Sequence, residues 1–281
     1  MATRVFYLYR YQILPLTVQP NLLYNLEELI AQKNKYFFDA VLFLKMSSKD
    51  GEKRRYKYEL GKYINDSIVL IASRQKSVKY IREDHTQDDV ASFPYGHIII
   101  DNNKDYQIIC IQDSTELRAR SIAKKIEKIL HGILSKNNLT VKISPIYKES
   151  DFWTFVESHR GKITTISFDI ITPNMSNISS RLSEDLKSAA KKTGTAETNL
   201  KFNAGKNGFL HLERENAEID GLVNYTSKGG GEVQIKAKDT KIGYHSNDAQ
   251  LNMEFTDLEL NGNLQEIIAA IRNKISDGNN W

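Results

Sequence analysis

Three residues in the last quarter of the chain have the types and spacing of a metal-dependent nuclease site. Asp220 comes first, and Gln234 and Lys236 follow on a segment that alternates as a β-strand. In restriction-type nucleases a carboxylate on one strand holds Mg²⁺, and a lysine on the next strand stabilises or activates the attacking water. Asn224 stands where a second carboxylate is expected, and so short a triplet arises easily in any polar strand. A Mg²⁺-dependent nuclease is therefore an alternative hypothesis.

Other reactive residue types lack the spacing that their chemistry requires. The six histidines are scattered without a metal-ligand pair, whereas a metal site needs ligands that converge on one point. Gly229, Gly230 and Gly231 lack the Gly-Lys-Ser/Thr ending of a phosphate loop and precede a strand, so we predict a hairpin turn there. Cys110 lies in an apolar strand and is predicted to be buried. We therefore predict no catalytic residue, no metal site and no cofactor.

Basic residues are concentrated in two segments of the N-terminal half. Residues 51–80 include eight basic and three acidic side chains, a local net charge of +5. Residues 118–148 include eight basic side chains and one acidic side chain, a net charge of +7. The whole chain has a net charge of only +4, from 39 basic and 35 acidic residues. Such segregation can attract a polyanion although the total charge is nearly balanced.

Two predicted elements carry these charges. Strand alternation over residues 53–60 puts Lys53, Arg55 and Lys57 on one face, and a helix over residues 116–134 carries basic residues opposite an apolar stripe. Both arrangements can contact phosphates with an affinity that depends on salt and tolerates different base sequences. The predicted nucleic-acid contacts are Lys53, Arg54, Arg55, Lys57, Arg118, Lys124, Lys125 and Lys128.

Hydrophobic periodicity predicts the elements that position these residues. Predicted strands cover residues 6–14, 37–46, 53–60, 67–73, 97–100, 106–112, 139–146, 163–171, 199–202, 209–212, 222–225, 233–237 and 251–255. Predicted helices cover residues 22–32, 116–134, 181–192 and 263–275, with a short helix or connector at 150–160. Residues 113–116 resemble a capping box, and residues 82–90 read as a loop. Short connections predict an α+β fold with mainly antiparallel sheets and a few amphipathic helices.

Length and composition limit the class of protein. A chain of 281 residues suits two units of ordinary size. We predict a basic α+β N-terminal domain over 1–150, and a C-terminal α+β domain with a strand-rich meander and a terminal helix over 151–281. The single cysteine excludes an intrachain disulfide. Neither a secretion signal nor an apolar run of about 18 residues is found, so we expect a cytoplasmic protein.

The order of these elements follows a known pattern. Residues 5–10 form an aromatic strand that ends in Arg10, residues 93–100 follow an acidic loop, and residues 106–110 return before the helix opened at 113–116. A strand at 163–171, a helix at 181–192, a strand-rich stretch and a terminal helix complete it. This order resembles the RexA-like phage-exclusion proteins over most of the chain and, more distantly, the RdgC-like ring-shaped dimers that encircle DNA. The resemblance implies a dimeric, non-enzymatic DNA-binding protein, and it assigns no DNA contact to a particular residue.

Charge placement and the resemblance together favour one function. We expect a cytoplasmic homodimer that binds double-stranded DNA with low sequence specificity in an anti-phage defence or phage-exclusion system. A defence-system protein or a membrane protein is the expected partner. Two alternatives remain besides this hypothesis. One is the Mg²⁺-dependent nuclease with Asp220, Gln234 and Lys236, and the other is a protein-interaction subunit of a defence complex without affinity for nucleic acid.

Overall fold

Antiparallel β-sheets organise the part of the chain that the structure describes. The structure is a computed structural model, and it describes residues 3–16, 26–44, 56–172, 175, 177–238 and 243–279. Within these ranges the chain forms seven α-helices and thirteen strands, and the strands pair in the antiparallel sense. The predicted α+β class with mainly antiparallel sheets is confirmed.

Helices and strands alternate irregularly along the chain. In chain order, the strands are β1 (Thr3–Pro15), β2 (Tyr56–Ile64), β3 (Ser67–Arg74), β4 (Lys76–Ile81), β5 (Gln87–Ser92), β6 (Tyr95–Asp101), β7 (Ile108–Gln112), β8 (Leu139–Pro145), β9 (Ile163–Ile171), β10 (Glu197–Asn203), β11 (Gly231–Ala237), β12 (Tyr244–His245) and β13 (Asn252–Thr256). The helices are α1 (Leu26–Phe43), α2 (Ala119–Leu134), α3 (Glu149–Ser158), α4 (Glu184–Thr193), α5 (Ala217–Tyr225), α6 (Asp257–Asn261) and α7 (Leu264–Asn279).

The first sheet has seven strands in the order β13–β1–β7–β6–β3–β2, with β8 also paired to β1. Strand β1 has three partners because it is 13 residues long. Strands β13 and β8 pair with its two ends, and β7 pairs with its middle. The end of the chain therefore joins the same sheet as its beginning, and the division into 1–150 and 151–281 stays a prediction.

Side chains of β1 alternate between two hydrophobic cores, one on each face of the first sheet. Tyr9 and Tyr11 pack in the core under α1 and α2, whereas Phe6 and Leu8 pack in the core under α7. The ring of Tyr11 stacks on that of Phe37 in α1, with centroids 3.9 Å apart. Period-two alternation, which the sequence predicts for this strand, thus places helices on both faces of the sheet.

A second sheet of four strands has the order β10–β9–β11–β12. Phe168 of β9 and Val233 of β11 are buried in a third core, together with Phe152 of α3 and Val223 of α5. Strands β4 and β5 form a separate two-stranded hairpin. All six residues of β4 are exposed, so this hairpin adds little to any of the cores.

Two predicted strands are helical. Residues 37–43 belong to α1, residues 45–46 lie outside the described part, and residues 222–225 belong to α5. Short apolar runs do not distinguish a strand from a buried helix segment. In α1 the buried Phe37, Ala40 and Val41 follow helical spacing and cover the first sheet, so tertiary packing decides the structure.

Two other predictions of local structure are wrong in part or in whole. The predicted loop over 82–90 is correct for residues 82–86, which form the turn between β4 and β5, and wrong for residues 87–90, which belong to β5. Residues 209–212 form no regular strand, although the Leu210 N–H donates a hydrogen bond to the Ile163 carbonyl oxygen at 2.7 Å. The hairpin lacks an alternating apolar pattern that would predict its strands, because neither of its faces is buried.

The glycine-rich segment is a π turn between α5 and β11 (Thr226–Gly230), not the predicted hairpin turn. Gly229 has a φ of +83°, and a Cβ atom there would lie 2.4 Å from the Cβ of Arg10. The buried Arg10 Nε donates a hydrogen bond to the Lys228 carbonyl oxygen at 2.6 Å. Burial lowers the pKa of Arg10 to about 9. Glycine is required here because the turn packs directly against β1.

Candidate nucleic-acid interface

The beginning of α2 orients the basic helix. The predicted capping box does not form, because the helix begins at Ala119, and the Ala119 N–H donates to Asp113 Oδ1 at 2.7 Å. The Leu117 N–H donates to Ser114 Oγ at 3.1 Å. The first turn of α2 itself contains no acidic residue. Asp113 therefore supplies the negative charge that stabilises a helix N-terminus, from a position six residues before the helix.

The predicted apolar stripe of α2 is confirmed. Ile122, Ile126 and Leu130 are buried in the core of the first sheet, at the four-residue spacing of one helix face. Ile129 and Ile133 are half-buried against the same core. This packing fixes the rotation of the helix, so the opposite face is turned to solvent.

Three basic side chains lie on that solvent face. Lys124 and Lys128 were predicted from the sequence, and Arg120 was missed. All three are exposed, and they follow one another at four-residue spacing. In the described part of the chain no carboxylate forms an ion pair with any of them. The same four-residue spacing in the sequence would have identified Arg120.

The flank of α2 next to the sheet edge carries two further predicted contacts. Lys125 Nζ lies 4.5 Å from the centroid of the Tyr56 ring at the beginning of β2, a cation–π distance. Arg118 Nη1 lies 3.1 Å from Asp113 Oδ2, and the Arg118 side chain is 63% exposed. The Lys125 contact joins the basic helix to β2, whereas the charge of Arg118 is partly neutralised.

The basic strand does not add Lys57 to this surface. Tyr56 and Tyr58 pack on the α2 side of β2, so strand alternation directs Lys57 to the opposite face of the sheet. Lys57 is exposed, and its Nζ lies 2.6 Å from Glu59 Oε1. The other predicted contacts of this segment, Lys53, Arg54 and Arg55, lie outside the described residues.

The single acidic residue of α2 is turned away from the basic face. Glu127 Oε2 accepts a hydrogen bond from the Ile143 N–H of β8 at 2.8 Å. Its Oε1 lies 3.9 Å from Lys142 Nζ. Burial raises the pKa of Glu127, and the Ile143 hydrogen bond and Lys142 lower it by less. The negative charge therefore faces the sheet and leaves the solvent face of α2 without an acidic side chain.

The arrangement that the nuclease hypothesis needs is not formed. Asp220 lies in α5 rather than on a strand, and its Oδ2 lies 3.3 Å from Arg181 Nη1. Gln234 and Lys236 do lie on a strand, β11, as predicted. Among the described residues no group of three or more His, Cys, Asp or Glu side chains is placed to hold a metal ion. The prediction that Asp220 lies on a strand next to Gln234 and Lys236 is therefore wrong.

Comparison of the chain with known protein families, curated proteins and solved structures found no match. The resemblance to RexA-like proteins thus stays a prediction. In the described ranges no helix is both long and apolar enough to cross a membrane. The basic face of α2 and its surroundings are therefore the basis of the functional proposal.

Proposed function

We propose that the protein binds double-stranded DNA through phosphate contacts made by the solvent face of α2. The observation that carries this proposal is the row formed by Arg120, Lys124 and Lys128, which are exposed and have no ion-pair partner among the described residues. Arg120 lies in the first turn of α2, where a cation opposes the helix dipole. The position of Arg120 therefore does not serve the stability of α2 and fits an external anion.

The spacing of this row fits a phosphate backbone. Residues four apart on a helix are separated by about 6 Å along its axis, so the row extends over about 12 Å. One strand of duplex DNA carries a charge about every 3.4 Å along the axis, so three cations can contact phosphates without reading bases. Lys125 beside Tyr56 widens the same surface toward β2. Binding of this kind has low sequence specificity.

The wider setting is part of the same proposal. The order of elements along the chain supports a cytoplasmic homodimer that acts in anti-phage defence or phage exclusion with a partner protein. The β4–β5 hairpin supports a protein contact, because Tyr80 and Ile81 are 60% and 67% exposed. This observation also favours the second candidate function, an interaction subunit of a defence complex without nucleic-acid affinity.

A salt-dependent binding titration tests the proposal. Fluorescence anisotropy with two labelled duplexes of unrelated sequence is measured at several salt concentrations, with and without Mg²⁺. We expect affinities for the two duplexes that agree within a few-fold and fall steeply with salt, and the DNA stays intact with Mg²⁺. Absence of binding at low salt would overturn the proposal and leave the interaction subunit.

A further inference from the structure

A cavity of about 890 Å³ lies between α1, α4 and the end of β1. Ile13 and Leu14 of β1, Leu139 of β8 and Ala190 of α4 line it, and all four are buried. Sites for small molecules typically have volumes of about 300–1,000 Å³, apolar walls and a few polar groups. The size and the apolar lining are therefore those of a small-molecule site.

Lys33 is a charged residue on this apolar wall. It lies on α1 between Leu29 and Phe37, one turn from each, and both of these residues are buried. Lys33 thus interrupts the apolar stripe of α1 rather than lying on its solvent face. Lysine is seldom placed on a buried stripe without an anion to pair with.

No such anion is found for Lys33 among the described residues. Burial lowers the pKa of Lys33, and no neighbouring charge raises it. Lys187 also lines the cavity, but its Nζ lies 2.8 Å from Glu184 Oε1. Lys33 and Lys187 therefore differ, because of these two only Lys187 has an ammonium that is neutralised by a described carboxylate.

We propose that this cavity binds a small amphipathic anion whose apolar body fills the space between α1 and α4 and whose carboxylate or phosphate contacts Lys33. The apolar body removes the walls from water, and the anion supplies the partner that Lys33 lacks. The site is independent of the basic face of α2, because the cavity-lining residues do not include any residue of that helix.

Calorimetric titration with three probes of equal chain length tests the proposal and distinguishes the two head groups. The probes are decanoate, decyl phosphate and the neutral decanol, each below its micelle concentration. We expect decanoate or decyl phosphate to bind with one-to-one stoichiometry, and decanol to bind at least about tenfold more weakly, since it lacks the charge-assisted contact. The tighter of the two anions identifies the head group.

Matched variants locate the site. Lys33→Met retains an apolar body of similar length and removes the charge, so we expect at least about tenfold weaker anion binding and unchanged decanol binding. Lys35→Met is the control, because Lys35 is exposed on another face of α1. Ala190→Phe fills the cavity from α4 and should abolish binding of all three probes. Thermal unfolding of each variant identifies any that fails to fold.

Three results would overturn the proposal. The first is that none of the probes binds to the folded wild-type protein. The second is that Lys33→Met binds the anions as tightly as Lys35→Met. The third is that wild-type protein binds decanol as tightly as the anions, which would leave a merely apolar site.

Discussion

Neutralising two cations of α2 should change the salt dependence of DNA binding by a calculable amount. The helix carries four basic residues, Arg120, Lys124, Lys125 and Lys128. If each neutralises one phosphate, the slope of log K against log salt is about −3.6. Raising the salt from about 50 to about 200 mM then weakens binding about 150-fold. The double variant K124Q/K128Q retains two contacts and a slope of about −1.8, and the same change in salt weakens its binding only about 12-fold.

Fluorescence anisotropy with one labelled duplex measures both slopes. Glutamine is suitable because Lys124 and Lys128 are exposed, so the fold does not depend on their charge. The matched control is K201Q/K206Q, which removes two exposed lysines from and beside the second sheet. We expect the control to keep the wild-type slope. A K124Q/K128Q slope equal to that of wild type would refute the assignment of DNA binding to α2, whatever its absolute affinity.

Three further predictions concern stability, measured as the free energy of unfolding in urea. Gly229→Ala should lower the free energy of unfolding by about 3 kcal/mol, because the residue has a positive φ and its new Cβ overlaps a neighbouring strand. The control Gly132→Ala lies in open space on α2 and should raise the free energy of unfolding by about 0.5–1 kcal/mol. Equal effects of the two substitutions would contradict the packing of the π turn. Arg272→Met should cost about 3 kcal/mol, because it leaves Asp101, which is 1% exposed, without the guanidinium 2.7 Å away, and a loss within experimental error would contradict this. Burial raises the pKa of Glu127, so the folded state favours its protonated form and the wild type loses stability as pH rises through that pKa. The stability of Glu127→Gln relative to wild type should therefore rise between about pH 4 and about pH 7. A stability difference that does not change with pH would contradict this prediction.

The sequence predicts correctly those elements in which the spacing of apolar residues matches the repeat of the helix or strand. Strand β1 alternates between two cores, and α2 separates apolar from basic residues, so each contains its own signal. Residues 37–43 and 222–225 were misassigned because a short apolar run is compatible with both structures. Helix α1 is selected by the stacking of Phe37 on Tyr11, which are 26 positions apart in the chain and 3.9 Å apart between ring centroids. Such a contact has no local signature.

Lys33 of α1 differs from Lys124 and Lys128 of α2 in its position around the helix relative to the apolar stripe. In α2, Lys124 and Lys128 lie off the stripe, so water solvates them and a polyanion can approach them, as the sequence predicts. In α1, Lys33 lies on the stripe between Leu29 and Phe37, where its half-buried side chain lines the cavity. The net charge of a segment does not distinguish these lysines. Their position around the helix does, because a lysine off the stripe can hold an anion only by charge. A lysine on the stripe can hold an anion whose apolar body is also buried.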